Sequence, residues 1–452
     1  MLKLPNDVAY ILDVLHTNGF TAYVVGGCVR DSILGETPHD WDITTSAKPD
    51  EVSKLFRKVI PSGLSFGTVT VRLHKNSYEV TTYRSEGRYS DGRHPDAVSF
   101  EETLEEDVKR RDLTINAIAY NQREGFVDLV GGISDLQNGI IRFVGNPYDR
   151  LNEDPLRALR AVRFAARYNF VMSEETKEAC LSVYGSRHDC VSAERVHDEI
   201  FKFFSGRRVK EPISLELLDV WVNLLACNEP ILRTMMGVTQ HSKYHLYDVY
   251  EHSLRVLQYT TTFNNAVLSM AALLHDIGKP RVKTLGKDGY EHFLNHARES
   301  VSISRNVLAD LRFSKDESRD ILYLVGNHDI FCSGYKLHKV RKFLAGRSLE
   351  DVNALLTLKR ADSSAQNPEY VNREYEEELK RVFYQVLEDG SNITLRELQI
   401  NGDDILAIGI QDNINIKKVL EACLLECYVV PSHNNREFLL NFASGVICRN
   451  NY

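Results

Sequence analysis

The sequence predicts an α+β protein, with a mixed sheet and its helices over residues 1 to about 145 and mostly helix after that. Two observations carry this reading. Short β-branched runs alternate with helical periodicity in the first third, and the segments read beyond residue 150 are helices. A third observation is size, since 452 residues exceed one core and suggest two to four units. The composition, 43% hydrophobic and 26% charged, is that of an ordinary soluble globular protein.

Residues 6–18 read as an amphipathic helix with Val8, Ile11, Leu12 and Leu15 on one face, expected to pack on the sheet. Ala22-Tyr23-Val24-Val25 reads as a buried strand because it is short, β-branched and stopped by Gly26-Gly27. Two glycines after a strand let the backbone approach a ligand, and the first amides of a following helix can hold phosphate. His39-Asp40-Trp41-Asp42-Ile43-Thr44-Thr45 is expected to be extended. That places Asp40 and Asp42 on one face, Cα atoms roughly 7 Å apart, close enough to share divalent ions. By spacing alone the pair fits turn chemistry as well as catalysis. Residues 49–56 suggest a short helix, Gly67–Leu73 a half-buried strand, and Ser77–Arg84 its hairpin partner across Lys75-Asn76. Glu79 on that partner is either a third carboxylate near the aspartates or a solvent-facing residue. Residues 85–96, rich in glycine and charge, have nothing to bury and should be mobile.

Lys109 to Tyr120 reads as a helix with Leu113, Ala117 and Tyr120 on one stripe, its basic start opposing the helix dipole unless an anion compensates. In Glu153–Arg167, the side chains of Arg157, Arg160, Arg163 and Arg167 fall within about 120° of arc, with Asp154 about 60° from Arg157. One face is strongly basic. Read locally, Asp154 is an N-cap, Pro155 the first helical residue, and the arginines are solvated. Another helix begins near Ser192, where Arg195 and Glu199 can pair at i,i+4.

A net charge of −8 argues against indiscriminate nucleic-acid binding. Residues 150–210, however, carry 12 Lys+Arg against 9 Asp+Glu, so RNA contact should concentrate there and nearby. No apolar run approaches the ~18 residues of a membrane span, and Met1-Leu2-Lys3-Leu4-Pro5 lacks an apolar secretory core; a cytoplasmic protein is expected. The eight scattered cysteines should be free thiols, with Cys423 and Cys427 packing residues rather than half a zinc site. There is no internal repeat or low-complexity tract.

In order and spacing, Gly26-Gly27-Cys28-Val29-Arg30-Asp31 and Asp40-Trp41-Asp42 resemble the nucleotidyltransferase core related to DNA polymerase β. Within that core they look like the bacterial (class II) tRNA nucleotidyltransferases, the CCA-adding enzymes, and their poly(A) polymerase relatives. Glu79-Val80-Thr81-Thr82-Tyr83-Arg84 matches a recurrent segment of the family. The resemblance implies that Asp40 and Asp42 hold two Mg²⁺ ions with Glu79 assisting, and that Gly26, Gly27 and Arg30 position phosphates. It implies that Arg111, Asp112 and Asn116 organise sugar and phosphates. Asp154 and Arg157 would read the Watson–Crick edge of the incoming nucleotide, supported by Glu153 and Arg160, with Arg163 on the same nucleotide-binding face. The helix after Ser192 would brace them. Residues 85–96 would be the flexible loop needed for the final A, and its apparent completeness disfavours an enzyme that adds only C.

A second constellation is His252, His275-Asp276 and Asp362, with His296 and His328 between. Ala266 to Leu274 reads as an apolar helix delivering His275 and Asp276 where Gly278 stops it. Imidazole and carboxylate together suit a transition metal such as Mn, Fe, Ni, Co or Zn. The set resembles the HD metal-dependent phosphohydrolases. On that resemblance His252, His275, Asp276 and Asp362 bind one metal, and His296 and His328 complete a second metal or phosphate site. After Asn367-Pro368-Glu369 a charged helix runs through Leu387 to a turn at 388–392; Leu395–Leu406 and a helix over 416–430 resemble the family's tail. Asp412-Asn413-Ile414-Asn415 departs there from the usual Gly-Pro-x-Ile-Gly.

The expected organisation is a DNA polymerase β-like nucleotidyltransferase head at 1–145, a helical neck with nucleotide-template and RNA-binding surface at 146–234, an HD domain at 235–366 and a helical, tRNA-binding tail at 367–452. The expected function is template-independent addition of CCA, from CTP and ATP, to the 3′ end of tRNA. The HD domain is expected to hydrolyse phosphate esters or RNA ends with a divalent transition metal of unknown identity. Two rivals are an A-adding or poly(A)-adding enzyme, and a protein that is chiefly an RNA-end phosphohydrolase with a tRNA-binding module. No membrane association is expected, and no protein partner is deducible.

Overall fold

A computed structural model describes residues 2–450 apart from Arg88, Ser90, His94, Ser333 and Gln411. The chain forms two compact units. One comprises 1–234 with the short returns 261–266 and 307–313, the other 235–260, 267–306 and 314–452.

In the first unit, helix α1 (Asn6–Thr17) buries Val8, Ile11, Leu12 and Leu15, the face its periodicity marks. Seven strands make the main sheet: β1 (Ala22–Val25), β2 (Ile43–Thr45), β3 (Val59–Gly63), β4 (Thr68–Leu73), β5 (Asn76–Thr82), β8 (Ala119–Asn121) and β9 (Gly125–Val127). They lie in the order β3-β4-β5-β2-β1-β8-β9. The β2–β5 pair is parallel and the other neighbours are antiparallel, so the sheet is mixed. Every residue of β1 and β2 is buried, as central strands require. Helices α2 (Gly27–Ile33), α3 (Pro49–Leu55), α4 (Leu104–Lys109) and α5 (Gly132–Asn138) complete this part, with the small pair β6 (Arg84–Glu86) and β7 (Val98–Phe100).

Several expectations fail here for identifiable reasons. The aspartates are not on a strand, which begins only at Ile43. Strand β1 stops at Val25 and Gly26 turns away at φ 83°, so residues 40 and 41 lie beyond the end of β1. The hairpin turns at His74-Lys75, one residue earlier than expected, with Leu73 opposite Asn76. Strand β3 has no counterpart among the expected elements; its Pro61 is tolerated because it lies at the sheet edge. Residues 109–120 are not a helix: Thr114–Asn116 is a single 3₁₀ turn, and Tyr120 sits on β8 opposite Val24. Every residue from Leu113 to Asn121 is buried, so the helical spacing had no polar face to distinguish, and the free edge of β1 takes the segment as a strand. Arg110 and Arg111 instead follow the C-terminus of α4, where the dipole favours cations.

The loop at 85–96 lies partly outside the described residues. Its start is anchored, with the Glu86 carboxylate almost fully buried between Arg84, Arg110 and the Tyr89 hydroxyl. The expectation of nothing to bury is therefore corrected for that end.

Helices α6 (Pro147–Glu153), α7 (Leu156–Tyr168), α8 (Glu174–Arg187), α9 (Ala193–Ser205) and α10 (Leu215–Asn228) follow, with the short strands β10 (Ile140–Ile141) and β11 (Val171–Met172) paired in parallel. Phe203 stacks on Trp221 at 3.9 Å between centroids, fixing α9 on α10. Glu153 and Arg157 are on different helices. A residue preceding proline is pushed out of helical geometry, and Asp154 lies at φ −146°, ψ 103°, between the end of α6 and the start of α7. Its Oδ1 accepts from the Leu156 amide at 3.1 Å, but the helix starts at Leu156, so Pro155, expected as the first helical residue, stands at the cap position instead.

The second unit contains α11 (Val249–Thr260), the body of α12 (Ala266–Leu274), α13 (Lys279–Val282), the hairpin β12 (Thr284–Leu285) and β13 (Glu291–His292), and α14 (His296–Asp310) as far as Asn306. Then come α15 (Lys315–Asn327), α16 (Leu337–Leu344), α17 (Leu349–Ser364), α18 (Arg373–Glu388), α19 (Gly402–Ala407), α20 (Asn413–Val429) and α21 (Arg436–Asn450). Asp412 caps α20 through the Ile414 amide at 3.2 Å. Cys423 and Cys427 are buried in an apolar cluster with Ile405, Val419 and Leu439, as packing residues should be. Helix α21, which had no counterpart among the expectations, places Leu439, Ala443 and Val446 on that cluster at helical spacing. Among the described residues no helix is long and apolar enough to cross a membrane.

Candidate functional site

In the first unit, the glycine pair and the aspartates are held together by main chain. The Val25 amide donates to the Asp42 carbonyl at 3.0 Å, so Asp42 enters the sheet beside the strand end at which Gly26 turns. At φ 83°, ψ −131°, Gly26 has a conformation that side-chain-bearing residues avoid. A Cβ there would lie 3.5 Å from Arg111 Nη1 and 3.6 Å from the Asn116 carbonyl. The parallel register pairs Ile43 with Val80, which brings Asp42 alongside Glu79. All three carboxylate residues, Asp40, Asp42 and Glu79, are exposed. Crowding by surrounding atoms raises the Asp42 pKa, Arg111 opposes the rise, and the charges of Glu79 and Asp40 add to it.

The neighbouring predicted residues divide into two groups. Arg111 faces the carboxylates, pairs with Asp107 at 3.1 Å, and has a buried Nε with no hydrogen-bond partner among the described residues. Asp112 turns the other way. Burial opposes its ionisation, but Arg160 at 2.7 Å, the Leu113 amide and the Asn116 side chain hold its carboxyl well below the usual range. Arg30 lies away from solvent, 6% exposed, with its guanidinium bonded to Asp31 and Asn116 and set over the rings of Phe164 and Tyr168. Asp107, fully buried between Arg110, Arg111 and Thr44, was missed by sequence reasoning. Its spacing of three and four residues before the two arginines was the available signal.

On the helices behind, the arginine face is not solvated. Arg157 pairs with Glu153 and donates to the Arg150 carbonyl at 3.1 Å. Arg163 is buried against Glu199 at 2.6 Å. Asp154 takes a two-point contact from Arg195, at 2.6 and 3.2 Å. The expected i,i+4 pair of Arg195 and Glu199 does not form, because each finds a partner across the α7–α9 interface. Asp154 and Arg157 are thus neighbours braced separately, not paired to each other.

In the second unit, six predicted residues converge from five elements. His252 on α11, His275 and Asp276 after α12, His296 at the start of α14, His328 at the end of α15 and Asp362 on α17 surround one point. His252 Nε2 lies 3.1 Å from Asp362 Oδ1, 3.5 Å from Asp276 Oδ2 and 3.3 Å from His275 Nε2. His296 and His328 Nε2 are 3.1 Å apart, and Asp276 Oδ1 is 3.4 Å from the former and 3.8 Å from the latter. Each imidazole Nδ1 reaches a backbone carbonyl: His275 to Ala272, His296 to Phe293 and His328 to Val325 at 2.8–2.9 Å, and His252 to Ala365 at 3.4 Å. A carbonyl only accepts, so Nδ1 carries the proton and Nε2 lone pairs face the centre. Burial lowers the His328 pKa to about 4, consistent with a neutral ring.

A cavity of about 340 Å³ opens onto this cluster. It is also lined by His245, Lys279, Asp329 and Gln366, which sequence reasoning passed over. Lys279 bridges Asp276 and Gln240, 2.6 Å from each. Its place three residues after Asp276 was legible; the long-range approach of His245 and Gln366 was not.

Comparison with known proteins matches residues 22–142 to the poly(A) polymerase head domain and residues 249–367 to the HD domain. Domains of both kinds generally use divalent metals. The CCA-adding enzyme of Ligilactobacillus salivarius is 45% identical over 211 residues, 46% of this chain and 51% of that protein. The CCA-adding enzyme of Oceanobacillus iheyensis is 47% identical over 203 residues, 45% and 50% of the two chains. The chain thus spans about half the length of the curated relatives it matches. In three dimensions it resembles the Bacillus stearothermophilus CCA-adding enzyme in complex with CTP, with a TM-score of 0.66, 26% identity and 98% of both chains covered. The Thermotoga maritima CCA-adding enzyme complexed with tRNA shares the fold at a TM-score of 0.62 and 17% identity, over 98% of this chain and 96% of that one. The α+β architecture and the family resemblance read from the motifs are therefore sound: the chain joins a poly(A) polymerase head domain to an HD domain on the fold of the CCA-adding enzymes.

Proposed function

We propose that this protein adds CMP, CMP and AMP, from CTP and ATP, to the 3′ end of tRNA without a nucleic-acid template, and that its HD domain hydrolyses phosphate esters or RNA ends. The observation that carries the first part is likeness in fold, across 98% of both chains, to an enzyme bound to CTP, with three carboxylates gathered beside a glycine turn. On this reading the chain divides into a head at 1–145, a neck at 146–234, an HD domain at 235–366 and a tRNA-binding tail at 367–452. The work is that of the cytoplasm, where tRNA ends are finished.

Asp40, Asp42 and Glu79 form an oxygen-only set whose like charges help raise the Asp42 pKa, so a divalent cation fits there, Mg²⁺ by ligand type. Asp40, Asp42 and Glu79 would hold such ions, which would supply a lowered pKa for the attacking 3′-hydroxyl and positive charge beside the leaving pyrophosphate. Gly26 and Gly27 offer the phosphates main chain without a Cβ, and Arg111 offers its unpartnered Nε. Asp112 and Asn116 order the sugar side of the site. Arg30 acts from behind by fixing Asn116. Asp154 accepts and Arg157 donates on the Watson–Crick edge of the incoming base. Cytosine and adenine each present one exocyclic donor and one ring acceptor there, so one pair serves both once Arg157 shifts. Glu153, Arg160 and Arg163 hold that pair in place through their ion pairs.

In the HD domain, two pairs of Nε2 atoms approach at 3.3 and 3.1 Å, and Asp276 Oδ1 is buried without a hydrogen bond among the described residues. A cation resolves both. His252, His275, Asp276 and Asp362 would hold one divalent transition metal; His296 and His328 would hold a second metal or the substrate phosphate. Such a centre supplies an activated water and a clamp on the phosphate ester.

The decisive experiment offers tRNA transcripts ending at the discriminator base, after one C and after two, with CTP and ATP separately and together, and sequences the ends. Stepwise C, C and a single A is expected. Addition of A alone to CC-ended tRNA, untemplated A tracts, or no extension with intact phosphohydrolysis would each replace this reading with one of its rivals.

A further inference from the structure

Five guanidinium groups gather around one aromatic pair in the first unit. Phe164 and Tyr168 of α7 stack with 3° between their planes and centroids 6.2 Å apart. Arg30 lies 5.0 and 5.1 Å from the two ring centres, Arg160 and Arg163 lie 5.8 and 4.4 Å from that of Phe164, and Arg167 and Arg208 lie 5.7 and 5.6 Å from that of Tyr168. Four of the five meet carboxylates: Arg160 meets Asp112 at 2.7 Å, Arg163 meets Glu199 at 2.6 Å, Arg30 meets Asp31 at 2.8 Å, and Arg208 meets Asp31 at 2.8 Å and Glu36 at 2.6 Å. Arg167 makes no ion pair or side-chain hydrogen bond among the described residues, and its Nε is buried without a partner there. The Arg163–Glu199 pair joins α7 to α9, and one turn further along each helix stand Arg167 and Lys202. Lys202 is exposed and likewise without an ion pair among the described residues. A cation in the last turn of α7 suits the helix dipole, but a buried N–H without an acceptor has given up its hydration for nothing, and Arg163 repels the same charge. An anion from outside the chain resolves both.

We propose that Arg167, seconded by Lys202, binds a phosphodiester of the RNA strand behind the 3′ end that is being extended. The inference rests on the reading of the first unit as the site of tRNA extension. On that reading Arg157 meets the incoming base, and Arg167 stands ten residues later, about 15 Å along α7. At about 3.4 Å per stacked nucleotide this is the length of four or five nucleotides, so the contact falls on the strand that leads into the site. Nothing on α7 competes for the guanidinium, since the helix carries no acid. A guanidinium holds a phosphodiester by charge-assisted hydrogen bonds and reads no base, as suits an enzyme that must accept every tRNA.

The test uses the full chain and an RNA hairpin of acceptor-stem sequence ending in CC, extended with ATP. Arg167→Gln should raise KM for the RNA about tenfold and flatten the slope of log KM against log salt by roughly 0.7–0.9, while kcat and the KM for ATP stay within about twofold. Arg167→Lys keeps the charge and should recover most of the loss, and Lys202→Gln should show the same pattern at about threefold. Hairpins with a single neutral methylphosphonate, placed in turn at each of the linkages nearest the 3′ end, locate the contact. One linkage should weaken wild type about tenfold and leave Arg167→Gln unaffected. Equal weakening of both proteins at every linkage overturns the proposal, and so does a rise in the KM for ATP alone, which would assign the anion to the triphosphate. A lowered unfolding midpoint with an unchanged KM for RNA would make Arg167 a structural residue and overturns it too. If Arg167→Gln does not fold, Lys202→Gln with the same hairpins decides. If wild type extends no RNA, the extension reading itself falls, and equilibrium binding of the hairpins by fluorescence anisotropy judges the site on the same criterion; no binding by wild type ends it.

Discussion

The two polar centres of this chain are built on opposite plans. In the head the carboxylates are exposed, stand on a loop and a strand, and lean on cations whose ion pairs lie elsewhere. In the HD domain His252, His275, Asp276 and His328 are buried, each already within 4 Å of at least one of the others, and each ring is fixed from behind. The first plan suits an ion that arrives with its substrate and leaves with the product. The second suits an ion that stays.

The sharpest way to break this comparison is to remove one carboxylate from each centre. Asp42→Ala should reduce nucleotide addition on the order of 10³-fold or more while phosphohydrolysis stays within about twofold, and Asp276→Ala should do the converse. Parallel assays of both activities on folded protein check it; equal losses of both would contradict separate sites. Next in size is the frame behind the head site. Glu199→Ala strands a buried Arg163 guanidinium and should cost about 3–5 kcal/mol in urea unfolding. A loss near that of a surface pair would mean the arginine face is not part of the frame.

Residence of the ion gives a smaller effect. Mn²⁺ at one hundred times its dissociation constant should stabilise the second unit by about 2.7 kcal/mol, and Mg²⁺ without nucleotide should leave the first unit's melting nearly unchanged. Differential scanning calorimetry with and without chelator decides. The smallest effect concerns the buried acid Glu229. Burial, with Asp310 nearby, pushes Glu229 up to about 7 from an ordinary 4.5. The folded chain therefore holds that proton more tightly than the unfolded one, and the stabilisation is full below about pH 4.5 and lost as pH rises through 7. Glu229→Gln should flatten that window and raise the melting temperature at pH 8 by about 1–2 °C, with little change at pH 4.

The residue types that carry chemistry were legible because they are scarce and ordered. Six histidines and aspartates in sequence pointed to one metal centre, and a glycine pair followed by Asp-x-Asp pointed to another. What stayed hidden was partnership. Arg195 and Glu199 look like a pair along one helix, yet Asp154 and Arg163 across the interface claim them, a choice made by packing and not by spacing. Residues 113–121 kept a helical rhythm although the free edge of β1 made the last of them a strand, since a segment buried on every side has no polar face to betray its period. Strand β3 was masked by Pro61 and Gly63, and the rim residues His245 and Gln366 by the 120 positions that separate them along the chain.

Peptide oxygens, common to all twenty amino acids, orient the four HD imidazoles. Positions 272, 293, 325 and 365 can thus exchange their side chains over generations without retuning the nitrogen that grips the ion. The centre's heritable blueprint is where helices stop and start, so it should survive wide drift in its surroundings and fail abruptly when a single residue is inserted or deleted near one of those ends.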